Sequence, residues 1–158
     1  MVTQNLLKEL FEYKGGHLFW KTPKIASKAG LPAGCEKTYR WIKINKKMYS
    51  EHRLVWMYHY GMFPEKQLDH INRVKTDNRI ENLREATASQ NRYNTPSKQT
   101  TQSKKKNITF HKKSGKWQVN IWFNKKLKHL GLYKHIDIAE TIAKLARQKH
   151  HGEFACHE

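Results

Sequence analysis

Residues 68–94 read Leu-Asp-His-Ile-Asn-Arg-Val-Lys-Thr-Asp-Asn-Arg-Ile-Glu-Asn-Leu-Arg-Glu-Ala-Thr-Ala-Ser-Gln-Asn-Arg-Tyr-Asn. The stretch packs a carboxylate, an imidazole and several amides into one short segment. Asp69 and His70 are adjacent, Asn82 follows and Asn91 closes the set. Gln67 to His70 reads as a short strand, Asn72 to Asn82 as a polar loop with turn-forming Asp77-Asn78, and Leu83 to Glu85 as a second strand. Thr87 and Gln90 have capping-box spacing, so a helix begins there. It cannot run far past Asn94, because Pro96 restricts Thr95. Strand, loop, strand and one helical turn bring Asp69 and Asn91 toward each other.

The residue types define a chemistry. A carboxylate and an amide oxygen are hard ligands suited to Mg²⁺ or Mn²⁺, one ion per site. Two protein ligands leave most of an octahedral shell to waters and phosphate oxygens. Such an ion stabilises a developing phosphoanion and a leaving oxygen. The neighbouring imidazole, with an ordinary pKa of about 6.5, accepts a proton from water near neutrality. Successive strand side chains point to opposite faces. Asp69 and His70 therefore need an irregular strand end to serve one centre.

The rest of the composition points to a polyanion. Lys and Arg number 31 against 13 acids in 158 residues, a formal charge of +18, with a pI near 10.0. The excess runs through the whole chain, and each phosphate neutralised by such a side chain releases condensed counterions. No apolar run approaches the roughly 20 residues needed to span a bilayer. Asn5, Lys8 and Glu9 interrupt any signal-peptide pattern. Cys35 and Cys156 are the only cysteines, which excludes a disulfide framework and a Cys-x-x-Cys zinc knuckle and fits a reducing cytoplasm.

Ahead of the central stretch, Leu6, Leu7, Leu10 and Phe11 share one face of a short amphipathic helix. Gly15-Gly16 breaks it, His17 to Trp20 is a strand, and Pro23 to Gly34 is a loop. Tyr39 to Ile44 is a half-exposed strand, Asn45-Lys46-Lys47 a hairpin turn, and Met48-Tyr49 the return. Glu51 to Tyr60 is a helix with Leu54, Val55 and Tyr58 on one side, stopped by Gly61 and Pro64. His52 reads as a packing or capping histidine.

Behind it, residues 95–106 contain no large apolar side chain and read as a basic linker. From Asn107 the pattern is all strand and then helix. Ile108 to Phe110, Trp117 to Trp122 and Leu127 to Leu132 are three strands, with turns at Ser114-Gly115 and Asn124-Lys125-Lys126. Ile138, Ile142, Leu145 and Lys149, flanked by Ala139, Ala143 and Ala146, form an amphipathic helix ending near Gly152. Alternation turns Trp117, Val119 and Ile121 toward that helix. It turns Gln118, Asn120 and Trp122 outward, beside Leu127 and His129. An outward face of amides, an exposed Trp and flanking lysines suits a DNA groove.

The motif Asp-His-Ile-Asn, then Lys-Thr-Asp-Asn-Arg-Ile-Glu-Asn-Leu-Arg, then Thr-x-x-Gln-Asn resembles the HNH endonucleases. It is most similar to the homing-type enzymes of bacteriophages. The preceding His52-Arg53-Leu54-Val55-Trp56 fits that subgroup too, so the resemblance covers roughly residues 15–94. It implies a ββα-metal fold. By position, Asp69 and Asn91 match the metal ligands, His70 the general base, and Asn82 a structural amide that orients the histidine loop. Asn91 stands where many relatives have His. The C-terminal part resembles an AP2 DNA-binding domain. It does so through Ile108-Thr-Phe-His-Lys-Lys-Ser-Gly-Lys-Trp117, the later Leu-Gly-Leu-Tyr, and the closing His-Gly-Glu-Phe-Ala. AP2 domains lay a three-stranded sheet in the major groove.

The expectation is an α+β chain: an HNH nuclease domain over 1–94 with its ββα-metal core at about 67–94, a linker over 95–106, and an AP2-like sheet and helix over 107–155. The expected function is metal-dependent cutting or nicking of double-stranded DNA by a cytoplasmic monomer in a bacterial host. Catalysis falls to His70 and Asn82, and the metal to Asp69 and Asn91. DNA contact falls to Arg92, Lys112, Lys113, Lys116, Gln118, Asn120, Trp122 and His129. The alternatives are a non-catalytic DNA-binding regulator and a basic assembly protein.

Overall fold

The computed structural model describes residues 1–21, 30–36, 38–97 and 102–157. Residues 23–29 of the loop read between Pro23 and Gly34, and residues 98–101 of the linker, lie outside them. The chain divides into two compact units, Met1–Ala88 and Ser89–Glu158.

The first unit opens with helix α1 (Gln4–Leu10), whose N-cap Thr3 accepts from the Leu6 N–H at 3.2 Å. The helix stops one residue earlier than the apolar spacing suggests. Phe11 is recruited into strand β1 (Phe11–Lys14), paired antiparallel with β2 (His17–Trp20) across Gly15-Gly16. Strands β3 (Cys35–Glu36), β4 (Arg40–Ile44) and β5 (Lys47–Ser50) form a second antiparallel sheet. Asn45 and Lys46 turn the chain with φ of 48° and 67°. A two-residue hairpin of this hand needs positive φ at both positions, and Asn tolerates that better than most residues.

Helix α2 (Glu51–Tyr60) follows at once and ends on Gly61 in the left-handed conformation (φ 77°). Leu54 and Val55 bury completely, as the helical spacing predicts. They meet Leu7, Phe11, Leu18 and Ile42 in one apolar core, with Leu83 from the last hairpin at its edge. That hairpin is β6 (Gln67–His70) with β7 (Leu83–Ala86), in the register Asp69↔Arg84 and His70↔Leu83. It is joined by a polar loop that closes in a short 3-10 turn over Ile80–Asn82.

Helix α3 (Ala88–Tyr93) begins one residue after Thr87. Most of it falls in the second unit, where the Tyr93 ring stacks on His151 with centroids 3.7 Å apart. Lys106 Nζ donates to the Tyr93 and Thr95 carbonyls. The core of this unit is a three-stranded antiparallel sheet, β8 (Ile108–His111), β9 (Lys116–Phe123) and β10 (Lys126–Tyr133), in the order β10-β9-β8. Helix α4 (Ile136–His151) packs on one face.

The buried stripe of α4 is Ala139, Ala143, Arg147 and His151, whereas Ile138 and Leu145 stay about half exposed. Both stripes satisfy a helical period. The alanine stripe lies against the sheet because a methyl side chain lets a helix approach strands closely. The Arg147 guanidinium enters the core by donating from Nη1 to the Lys106 carbonyl at 2.9 Å, and burial pulls its pKa down. No helix among the described residues is long and apolar enough to cross a membrane.

Candidate active site

A buried network around His70 draws on several elements of the first unit. The end of β6 carries His70, with the residue 6 % exposed. Its Nε2 lies 2.9 Å from Oδ1 of Asn78, in the loop between β6 and β7. Asn78 Nδ2 donates to Glu51 Oε2 at 2.7 Å. Glu51, the first residue of α2, is fully buried. It also receives the Leu18 N–H from β2 at 3.0 Å, and His17 Nδ1 stands 3.0 Å from Oε2. The Arg40 guanidinium of β4 sits 3.7 Å from the same carboxylate. A carboxylate at a helix N-terminus is favoured by the helix dipole. Here hydrogen bonds and the Arg40 guanidinium meet its remaining acceptor capacity, which buried charge requires.

The loop that presents Asn78 is tied at several points. Asn82 Oδ1 accepts the Asn72 N–H at 3.0 Å, and Asn82 Nδ2 donates to Asn72 Oδ1 and to the Asp77 carbonyl at 3.0 and 2.7 Å. Arg79 grips Asp77 through Nε and Nη2 at 2.9 and 2.8 Å, holding its carboxyl well below the usual carboxylate range. The Ile80 N–H donates to the Tyr13 hydroxyl at 3.1 Å. These contacts make the amide facing His70 part of a preorganised loop.

Against the other side of His70 lie two rings. His52 meets it edge-on at 5.4 Å between centroids, and Tyr39 lies 6.2 Å away. Burial, then the charges of His70 and Arg53, push the His52 pKa down to about 4. His52 is thus neutral where His70 works and adds no competing charge. The unfolded chain takes up this proton near pH 6.5, the folded chain only near 4. Between those values the unfolded state binds more protons, so stability falls with acid across that window. The loss is at most about 3 kcal/mol. Urea midpoints at both ends of the window should converge in His52→Phe more than in wild type.

Asp69 is 4 % exposed and faces its cross-strand neighbour. Arg84 Nε and Nη2 donate to Asp69 Oδ2 at 3.0 and 2.9 Å. The ladder stays regular through His70, so the irregular strand end expected from the sequence is absent at that pair. The chain turns only beyond it, from Ile71, and Arg73 takes a left-handed φ of 67°. Asp69 and His70 consequently address different surroundings, the one Arg84 and the other Asn78. Asn91 lies on α3 in the second unit. No group of three or more His, Cys, Asp or Glu able to hold a metal occurs among the described residues. The Asp69 carboxylate is a hard oxygen donor of the kind Mg²⁺ takes when phosphate oxygens and waters complete its shell.

Sequence reasoning missed Glu51, Asn78, His17 and Tyr39. It took Asn78 as a turn-former and Glu51 as a helix start. No local signal marks either as buried.

In the second unit, pairing places Gln118, Asn120 and Trp122 on the sheet face away from α4, with Leu132, His129 and Leu127 opposite them. His129 Nδ1 lies 3.0 Å from Asn120 Oδ1 and 3.3 Å from Gln118 Nε2. Trp122 is 45 % exposed and Leu127 61 %. Lys116 sits opposite His111 at one end, with Lys112 and Lys113 exposed in the adjoining turn. Arg92 is exposed on α3.

Residues 49–93 match a family model described as HNH endonuclease. The match begins in β5, spans α2 and the β6-β7 hairpin, and ends in α3. It therefore includes Glu51, His52, Asp69, His70, Asn78, Asn82 and Asn91. No curated protein and no solved structure matches the chain. The family match supports a nuclease-type hydrolase acting on DNA.

Proposed function

We propose that the chain is a metal-dependent HNH endonuclease that hydrolyses phosphodiester bonds of double-stranded DNA, of the homing type found in bacteriophages. The observation that carries the reading is His70, held by a side-chain amide of its own loop within the segment that matches the family. An imidazole fixed through one nitrogen is oriented to take a proton from water through the other. Asn82 maintains the loop. Asp69 would contribute a carboxylate oxygen to a divalent ion, Mg²⁺ or Mn²⁺, which when bound stabilises the charge that develops on the phosphate and the leaving oxygen.

The outward sheet face of the second unit is the proposed DNA-contacting surface, in the manner of an AP2 domain. Gln118, Asn120 and His129 present hydrogen-bonding groups to base edges, and Trp122 an apolar face. Lys112, Lys113 and Lys116 meet phosphates. The triple variant Lys112→Ala/Lys113→Ala/Lys116→Ala should reduce the slope of log affinity against log salt by about 2 to 3 on any duplex. Fluorescence anisotropy across a salt series checks it, and an unchanged slope removes these lysines from the interface.

A second reading, a non-catalytic DNA-binding regulator, is favoured by the Asp69–Arg84 ion pair, which already neutralises the carboxylate. Supercoiled plasmid separates the two readings. The nuclease relaxes or linearises it in Mg²⁺ or Mn²⁺ and leaves it intact in EDTA. Equal retention of supercoils under both conditions supports the regulator.

A further inference from the structure

The contacts around Glu51 determine more than the position of His70. A carboxylate accepts hydrogen bonds and does not donate them. Glu51 Oε1 accepts the Leu18 N–H at 3.0 Å, and Oε2 accepts from Asn78 Nδ2 at 2.7 Å. Asn78 is 1 % exposed, so its amide cannot satisfy itself with bulk water in another orientation. Glu51 therefore dictates which end of that amide faces which way. With Nδ2 committed to Glu51, Oδ1 must face His70 Nε2, 2.9 Å away. An amide oxygen accepts only. The proton on the neutral imidazole then belongs on Nε2, and Nδ1 is the basic nitrogen.

We propose that Glu51 and Asn78 are positioning residues: a buried carboxylate sets the orientation of a buried amide, and the amide sets the tautomer of His70. The proposal rests on His70 being the general base of the reaction proposed above. In that reaction water gives a proton to Nδ1 and its oxygen bonds to phosphorus. The P–O3′ bond breaks and the leaving oxygen is protonated from solvent. The imidazolium that forms carries protons on both nitrogens. Its Nε2–H still donates to Asn78, with the Glu51 charge behind it. Neither positioning residue touches the substrate, and they lie 27 positions apart in sequence. A motif centred on the Asp-His pair does not register that connection.

The test reads the tautomer directly. A long-range ¹H–¹⁵N spectrum of histidine-labelled protein is recorded at about pH 8, where an ordinary imidazole is neutral. His70 is identified by its loss in His70→Ala. Wild type should show the Nε2–H form. In Glu51→Gln the new amide keeps its oxygen on the Leu18 N–H and turns its NH₂ toward Asn78. Asn78 must then rotate, presenting its own NH₂ to His70, and the proton moves to Nδ1. The kcat for cleavage should fall on the order of 10³-fold, the scale of losing a general base, because the wrong tautomer removes the basic nitrogen. DNA affinity should hold within about twofold, since neither residue is among those proposed to contact DNA.

An Nδ1–H wild type overturns the proposal, as does Glu51→Gln that keeps both the Nε2–H form and wild-type kcat. If Glu51→Gln does not fold, Asn78→Ala decides. Its His70 Nε2–H should exchange rapidly with water, where that of wild type is protected, and equal protection overturns the proposal. An Nε2–H wild type whose tautomer reverses in Glu51→Gln, yet which leaves plasmid intact in Mg²⁺, removes the nuclease reading and supports the proton placement. Cleavage without the reversal does the opposite.

Discussion

His70→Ala should bind duplex DNA as wild type does and cut it on the order of 10³-fold more slowly, the usual scale for loss of a general base. The expectation follows from where the ring sits. Its Nε2 is tied to Asn78, and its neighbour His52, pushed down to a pKa of about 4, is a poor replacement base near neutrality. Solvent cannot substitute for it at the same effective concentration. The DNA-contacting residues proposed above lie in the second unit, so affinity should persist. The measurement is single-turnover cleavage of a labelled duplex in Mg²⁺, beside anisotropy binding in EDTA. Cleavage at the wild-type rate would show that another group takes the proton.

Gly16→Ala should cost about 3 kcal/mol of stability, where Gly15→Ala costs about 1. Both glycines sit in the left-handed region, with φ of 55° at Gly15 and 92° at Gly16, so each substitution carries backbone strain. They differ in surroundings. A Cβ on Gly15 meets nothing within 4 Å, while one on Gly16 lies 2.7 Å from the Arg79 amide nitrogen and 3.1 Å from the Asn78 carbonyl carbon. Those are backbone atoms of the tied loop and cannot swing aside. The β1-β2 turn thus acts as the floor under the loop that orients His70, and displacing it moves the Asn78 amide. Urea unfolding of the two single variants isolates the packing contribution. Equal losses would mean that the loop yields freely. The cleavage rate of any folded Gly16→Ala should fall further than that of Gly15→Ala.

Much of the local structure was legible in the chain. Helix Glu51–Tyr60 and strands His17–Trp20 and Gln67–His70 lie where spacing places them. Both Asn-Lys-Lys sites turn hairpins, the second with φ of 49° and 60° at Asn124 and Lys125. Alternation along β9 sorts buried Val119 and Ile121 from exposed Trp122. The family model matches residues 49–93, the later part of the roughly 15–94 over which the sequence resembles the HNH endonucleases. The errors have one kind of cause. On α4 the flanking Ala139 and Ala143 bury, while Ile138 and Leu145 of the same apolar pattern stay about half exposed, a choice the sheet beneath makes. Phe11 continues the helical spacing of α1, yet pairing with Trp20 draws it into a strand.

The sequence by itself determined what nearest neighbours decide: element types, turns, and the chemical kinds of group clustered around Asp69 and His70. Periodicity and turn conformation are local energies, so they can be read without a fold. Only the tertiary structure decided that Glu51 is buried, that Asn78 bridges it to His70, and that Asp69 turns to Arg84 instead. Those outcomes depend on which side chains lose water together. Residues distant along the chain share that desolvation, and no window of sequence contains it.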